Sequence, residues 1–282
     1  MLDKAGLVQQ VAAHYGDGQD DLLERILDGA RKAGADLDAL RPEDLGAVDE
    51  FHTAGRGATI EVLSMMPLQA GMNVLDAGCG LGGTARSLVV EHGCKVTGID
   101  LTPAYVGVAK ALAERMALAD KCRFVQGSVL DTPFENGEFD AAVSFHVGMN
   151  VADRASFYGE MARVVKPGGV VCLYDVMKGP TEGMSYPVPW AETEKTSFLK
   201  SEDETCSLLE GAGFRVEQRR SMREFALQFF AEAFRKAEAA GGPPPLGLHL
   251  LTGAGSKQKF ANIVAAYKLH QLDPIAIVAT RC

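Results

Sequence analysis

Basic residues are scarce in this chain. Its 282 residues hold 28 Lys and Arg against 37 Asp and Glu, a net charge of −9. A nucleic-acid partner demands a basic surface to neutralise phosphates, and no polybasic cluster overrides the average, so that class is excluded. Long apolar runs are missing too. None reaches the length of a membrane-spanning helix, and the opening residues MLDKAGLVQQ lack the apolar core of a signal peptide, so no membrane insertion is expected. The six cysteines, Cys79, Cys94, Cys122, Cys172, Cys206 and Cys282, never stand in a CxxC or Cys/His spacing, and no metal is expected. Without an export signal they read as reduced thiols of a cytoplasmic protein. Tryptophan occurs once, at Trp190.

What remains is globular: 47% of the residues are hydrophobic and 23% charged, enough chain for one large α/β domain with additions. The organising stretch is Val74-Leu75-Asp76-Ala77-Gly78-Cys79-Gly80-Leu81-Gly82-Gly83-Thr84-Ala85-Arg86. An apolar run ends in an acid, then a glycine-rich turn, then residues that open a helix. Such a strand–loop–helix junction aims backbone N–H groups at a ligand. Gly78-x-Gly80-x-x-Gly83 also satisfies the dinucleotide fingerprint, so the glycines alone do not name that ligand. Asp76 discriminates: a pyrophosphate over this loop would meet its carboxylate and be repelled, whereas a cationic ligand without phosphate would be attracted. S-adenosyl-L-methionine is such a ligand.

Asp76-x-Gly78-x-Gly80-x-Gly82 resembles the first motif of the class I S-adenosylmethionine-dependent methyltransferases. Just ahead, His52-x-x-Gly55-Arg56-x-Ala58-Thr59 resembles the small-molecule enzymes that methylate glycine, sarcosine and dimethylglycine, to which tocopherol and quinone methyltransferases are related. The resemblance implies an α/β fold with a doubly wound, mostly parallel seven-stranded sheet. It also assigns roles. Arg56 would hold the cofactor's methionine carboxylate. Asp100, a little under ~20 residues past the loop at the end of the second strand, would grip the ribose hydroxyls. Leu101 would pack on the adenine, and Ser128 with the Val129 backbone would meet its edge. Ser128 stands where many relatives carry an Asp, which leaves the adenine contact open.

Along the chain, residues from about 3 to 45 read as helices, with Gly34 as a stop, and residues 1–60 as a helical cap on a methyltransferase domain over 61–282. Strands are expected at 95–99, 123–126, 139–144, 170–175, 214–219 and 274–280. Helices are expected at 104–119, capped by Thr102 and Pro103, at 157–165, after a capping box Ser201-x-x-Glu204, at 224–240 and at 258–270. Lys166-Pro167-Gly168-Gly169 reads as a turn. Segments near 177–200 and 224–272 are expected to form lids.

The fourth strand should emerge through Phe145 and His146 toward Asn150, close to the transferable methyl. Several related O-methyltransferases carry a His where Asn150 stands. Asn cannot be a general base but can orient a group. His146 is a candidate base, and Asp175 matches an acid near the substrate in some relatives. Tyr186 and Trp190 could wall a cationic amine. Three readings follow. The favoured one is methyl transfer to a small amine such as sarcosine or dimethylglycine. The second is O-, C- or S-methylation of a phenol, quinol, sugar or thioether intermediate. The third, of another class, is a non-catalytic nucleotide-binding protein or an NAD-dependent dehydrogenase. Oligomeric state is not legible.

Overall fold

A computed structural model of the chain describes Gly6, Tyr15 and residues 21–282. Apart from those two positions, the helical reading before residue 21 lies outside the described residues. Seven strands form one sheet: β1 Asn73–Ala77, β2 Lys95–Asp100, β3 Cys122–Gln126, β4 Phe139–Phe145, β5 Val165–Lys178, β6 Phe214–Ser221 and β7 Leu272–Arg281. Their order is β3-β2-β1-β4-β5-β7-β6. β1 to β5 run parallel, and β7 lies antiparallel between β5 and β6. The dinucleotide-binding order is instead 3-2-1-4-5-6, so the sheet departs from the dehydrogenase alternative.

Ten helices are described: α1 Leu22–Lys32, α2 Pro42–Leu45, α3 Gly55–Leu63, α4 Gly83–His92, α5 Pro103–Arg115, α6 Arg154–Val164, α7 Glu202–Gly211, α8 Arg223–Ala239, α9 His249–Thr252 and α10 Ser256–Lys268. Strand side chains alternate between two buried layers, as helices on both faces require. Val74, Val96, Ala141, Val143 and Tyr174 face Val62, Leu88 and Ala109 of α3, α4 and α5. Leu75, Ile99, Ala142 and Leu173 face Phe157, Met161 and Leu209 of α6 and α7.

Two smaller cores sit above the carboxyl ends of the strands. Leu22, Ile26 and Leu45 pack with Leu81, Tyr105 and Leu112. The segment after β5 buries Val188 and Trp190 against Phe230 of α8 and Ile263 and Tyr267 of α10. Lys259 of α10 pairs with Glu192 at 2.5 Å, and the Asn262 side chain donates to the Pro187 carbonyl at 2.8 Å, pinning that segment to α10.

Local expectations meet the structure unevenly. Pro103 opens α5 behind Thr102, and the Ser201–Glu204 box forms, Glu204 N–H donating to Ser201 Oγ and Ser201 N–H to the Glu204 carboxylate. The Lys166–Gly169 turn is a bulge inside β5: pairing with β4 jumps from Val165 to Val170, and Gly168 takes a left-handed φ of 78°. α5 stops at Arg115 rather than 119, where Ala117 takes a left-handed φ of 54°. α6 starts early because Asp153 caps it, accepting from Ser156 N–H at 3.1 Å. Among the described residues, no helix is long and apolar enough to cross a membrane.

Candidate functional site

The carboxyl ends of β1, β2 and β4 open into a broad cleft. Open α/β sheets bind ligands there. Gly78, Gly80, Asp100, Leu101, Ser128, Val129, Phe145, His146, Asn150 and Trp190 all line it.

The glycines divide their work. Gly80 has a φ of 51°, and a Cβ there would meet nothing within 4 Å, so this wall leaves room for a ligand against the backbone. Gly82 serves packing, since a Cβ would stand 2.7 Å from Phe124 and 2.9 Å from Arg86. Gly78 makes room for Val147 of the β4 exit. Asp100 accepts from Gly80 N–H through Oδ2 and from Thr102 N–H through Oδ1, both at 2.9 Å. The Thr102 hydroxyl and the Leu101 N–H also approach this carboxylate, and its place on the cleft at the end of β2 fits the ribose of S-adenosylmethionine.

Two expected cofactor ligands lie elsewhere. Asp76 is 2% exposed, does not line the cleft, and meets Ala85 N–H in the first turn of α4. Burial, reinforced by Glu50 and Asp100, pushes its pKa up to about 8, so it presents no fixed charge to a sulfonium at neutral pH. Arg56 is turned away. Its guanidinium donates to Ser87 Oγ and to the Glu91 carboxylate, both at 2.6 Å. The rest of that motif is equally committed. Glu50 accepts from His52 Nε2 at 3.0 Å and Thr59 Oγ1 at 2.8 Å. Burial pushes the Glu50 carboxyl up, but bonds from His52 and Thr59 and the Arg56 charge outweigh it and leave the pKa lowered. The motif braces α3 and α4.

His146 is not placed as a base. It has a left-handed φ of 55°, its Nδ1 meets the Tyr174 carbonyl at 3.0 Å, and its Nε2 accepts from Thr53 N–H at 3.1 Å. The carbonyl requires the proton on Nδ1, and the Nε2 lone pair is taken. Burial, with His52 nearby, lowers its pKa to about 3. Asp175 is fully buried and off the cleft. Its Oδ1 accepts from Val147 and Gly148 N–H at 2.9 and 3.1 Å, and Arg154 stands 3.7 Å from Oδ2, so it holds the β4 exit in shape. Burial raises its pKa.

The chain matches the methyltransferase-domain family over residues 75–173. That stretch carries the similarity to methyltransferases, and it runs from β1 through the glycine loop into β5. The chain is similar to a sterol 24-C-methyltransferase of Gibberella zeae, 40% identical over 108 residues, 38% of this chain and 28% of that enzyme's length. That stretch is well under two thirds of the relative. An O-methyltransferase of Pyrenophora dematioidea is 28% identical over 82% of this chain and 85% of its own. Among solved structures, a geranyl diphosphate C-methyltransferase from Streptomyces coelicolor A3(2) shares the fold, with a TM-score of 0.71 and 20% identity over the whole of both chains.

The other half of the cleft is apolar. Met149, Trp190, Phe198, Phe229, Phe230 and Phe260 form its wall, and no Lys or Arg lines the cleft among the described residues. Trp190 is held by its Nε1–H, which donates to Ser197 Oγ at 2.9 Å. Tyr186 does not line the cleft; it packs beside this wall. Sequence reasoning missed the phenylalanines of α8 and α10. Their spacing along α8, Phe225, Phe229, Phe230 and Phe234, was a visible signal of an aromatic face. Tyr15 and Thr53 were missed as well, although Thr53 fills an open position of the His52–Thr59 motif. Thr53 ties three segments together: its N–H reaches His146, its Oγ1 meets Tyr267 Oη at 2.7 Å, and its carbonyl accepts from Tyr174 Oη at 3.0 Å.

Proposed function

We propose that the chain transfers a methyl group from S-adenosyl-L-methionine to a small metabolite with a large apolar body. When bound, the cofactor supplies a methyl on a sulfonium for in-line displacement. The protein's part is positioning, which supplies up to ~7–11 kcal/mol in favourable cases. In this reading Asp100 takes the ribose hydroxyls, Gly80 leaves the backbone open to the cofactor, and Leu101, Ser128 and Val129 border the adenine. Phe145 separates the two halves.

The observation that carries the acceptor class is the wall of Met149, Trp190, Phe198, Phe229, Phe230 and Phe260 without a lining Lys or Arg. Sarcosine and dimethylglycine carry a carboxylate, and burying one there without a cationic partner is costly. Apolar bodies suit it, and one similar enzyme is named for a sterol. With His146 fully engaged, the nucleophile brings its own electron pair: an amine, a phenol acidic enough to ionise unaided, or the π bond of an alkene. The amine preference read from Asn150 therefore survives on an apolar skeleton rather than on an amino acid. A cytoplasmic location is part of the proposal, supported by cysteines that stand unpaired among the described residues.

The test is a panel of radiolabelled methyl-transfer reactions with sarcosine, dimethylglycine, a sterol, a prenylated quinol and a polycyclic tertiary amine. Turnover is expected with one or more of the last three. Turnover confined to sarcosine or dimethylglycine would overturn the apolar acceptor, and failure to bind S-adenosylhomocysteine would overturn the whole reading.

A further inference from the structure

Two neighbouring phenylalanines of α8 occupy different depths of the apolar half. Both line the cleft, but Phe229 is 40% exposed and Phe230 only 6%. Other rings crowd around Phe230. Phe229 meets it edge-on with centroids 5.5 Å apart, Phe234 lies at 6.1 Å, and Phe260 and Tyr267 of α10 lie at 6.1 and 6.5 Å. Contacts from both helices fix the orientation of the ring. Behind it the same cluster continues with Ala226 and Tyr267, which are fully buried and do not line the cleft. Ala226 stands one turn earlier on the same face of α8 and has only a methyl group to offer. The Phe230 ring therefore closes the cleft against the interior between α8 and α10.

We propose that Phe230 is a specificity-determining residue, the stop that fixes how far an apolar acceptor extends past Phe229 into the protein. The proposal rests on the apolar-acceptor reading above and narrows it. The far end of the acceptor meets a flat, fixed ring, so compact ring skeletons fit and a long chain has nowhere to continue. A close-packed interior does not yield cheaply to extra carbons, because each forces neighbouring side chains off their rotamers. The barrier is nonetheless a single side chain, with Tyr267 directly behind it. A smaller residue at position 230 would lengthen the acceptor half toward Tyr267 and leave Asp100, Ser128 and Val129 as they are.

The probes are 4-alkylphenols from ethyl to octyl, titrated into the chain saturated with S-adenosylhomocysteine and followed by fluorescence of Trp190, the single tryptophan, on the cleft wall. In the wild type, affinity should climb roughly fourfold per methylene until the chain meets Phe230, then level or fall. Phe230→Leu keeps a buried apolar side chain but removes the ring. It should move the break to longer chains, binding the first homologue past the wild-type break roughly fourfold or more tighter than the wild type does. Phe230→Trp should move the break to shorter chains, a shift that loosening of the fold would not produce. The same break in all three proteins, or a shift in one direction for both variants, overturns the stop. A wild-type chain that binds none of the series overturns the apolar-acceptor reading and the stop with it, and one that does not bind S-adenosylhomocysteine overturns the cofactor reading.

Discussion

Asp100→Asn separates the ribose grip from everything else in the cleft. The carboxylate stands between two backbone donors, Gly80 N–H and Thr102 N–H, each at 2.9 Å. Asn keeps the shape but turns an NH2 group toward one of those donors, so one anchoring bond is lost. It also presents no charge to the ribose hydroxyls and at most one oxygen. A hydrogen bond to a charged group contributes about 1.5–3 kcal/mol. Losing one ribose bond and weakening the other removes about 2–4 kcal/mol, which is roughly a 30- to 700-fold rise in Kd. Calorimetric titration with S-adenosylhomocysteine reads it directly, with ligand-free thermal unfolding as the control for the lost anchor. A Kd within about threefold of wild type, well under 1 kcal/mol, would refute the bidentate grip.

Gly80→Ala should weaken S-adenosylhomocysteine binding more than it lowers stability. Its φ of 51° costs about 1–2 kcal/mol for a side chain, yet no protein atom lies within 4 Å. Gly82→Ala should do the reverse, because Phe124 and Arg86 stand at 2.7 and 2.9 Å from the new Cβ; melting temperature and Kd measured on both variants decide it. His146 has its folded pKa lowered to about 3, below that of the unfolded chain, so the unfolded state takes up the proton first as pH falls. Stability is therefore lost as pH drops below about 6.5, by no more than about 1.4 kcal/mol per unit, and urea midpoints of His146→Gln should be flatter between pH 6.5 and 4. Asp175→Ala should cost about 3–5 kcal/mol in urea unfolding, because Val147 and Gly148 lose their acceptor and Arg154, 3% exposed, loses its buried partner.

The glycine loop and Asp100 were legible because their chemistry is local: a strand end, a tight turn and an acid one element on, all set by spacing. Strand alternation and the capping box were readable for the same reason. Arg56 and Asp175 were not. Ser87 and Glu91 claim the first, and the Val147–Gly148 backbone claims the second, partners far away in the chain that only packing supplies. Asp76 carried a correct motif and a misleading charge, since burial and not residue type sets its protonation. His146 likewise was a base by type and a structural group by its neighbours. The acceptor wall assembles from α8, α10 and the segment after β5, whose apolar residues look like ordinary core until the helices are laid over the strand ends.

The bonds that fasten the segment after β5 to α10, Lys259 to Glu192 and Asn262 to the Pro187 carbonyl, make an independent flap of it costly. The same helix carries Tyr267, whose hydroxyl meets Thr53, and Thr53 in turn seats His146. Lifting the flap would tug on the floor of the reaction chamber. The cheaper doorway is beside Phe229 of α8, which lines the cleft and is still 40% exposed. An acceptor entering there sheds its water against an aromatic sill while the far wall stays fixed. Selection among acceptors would then begin at the threshold on α8, before any part of the molecule comes near the methyl group.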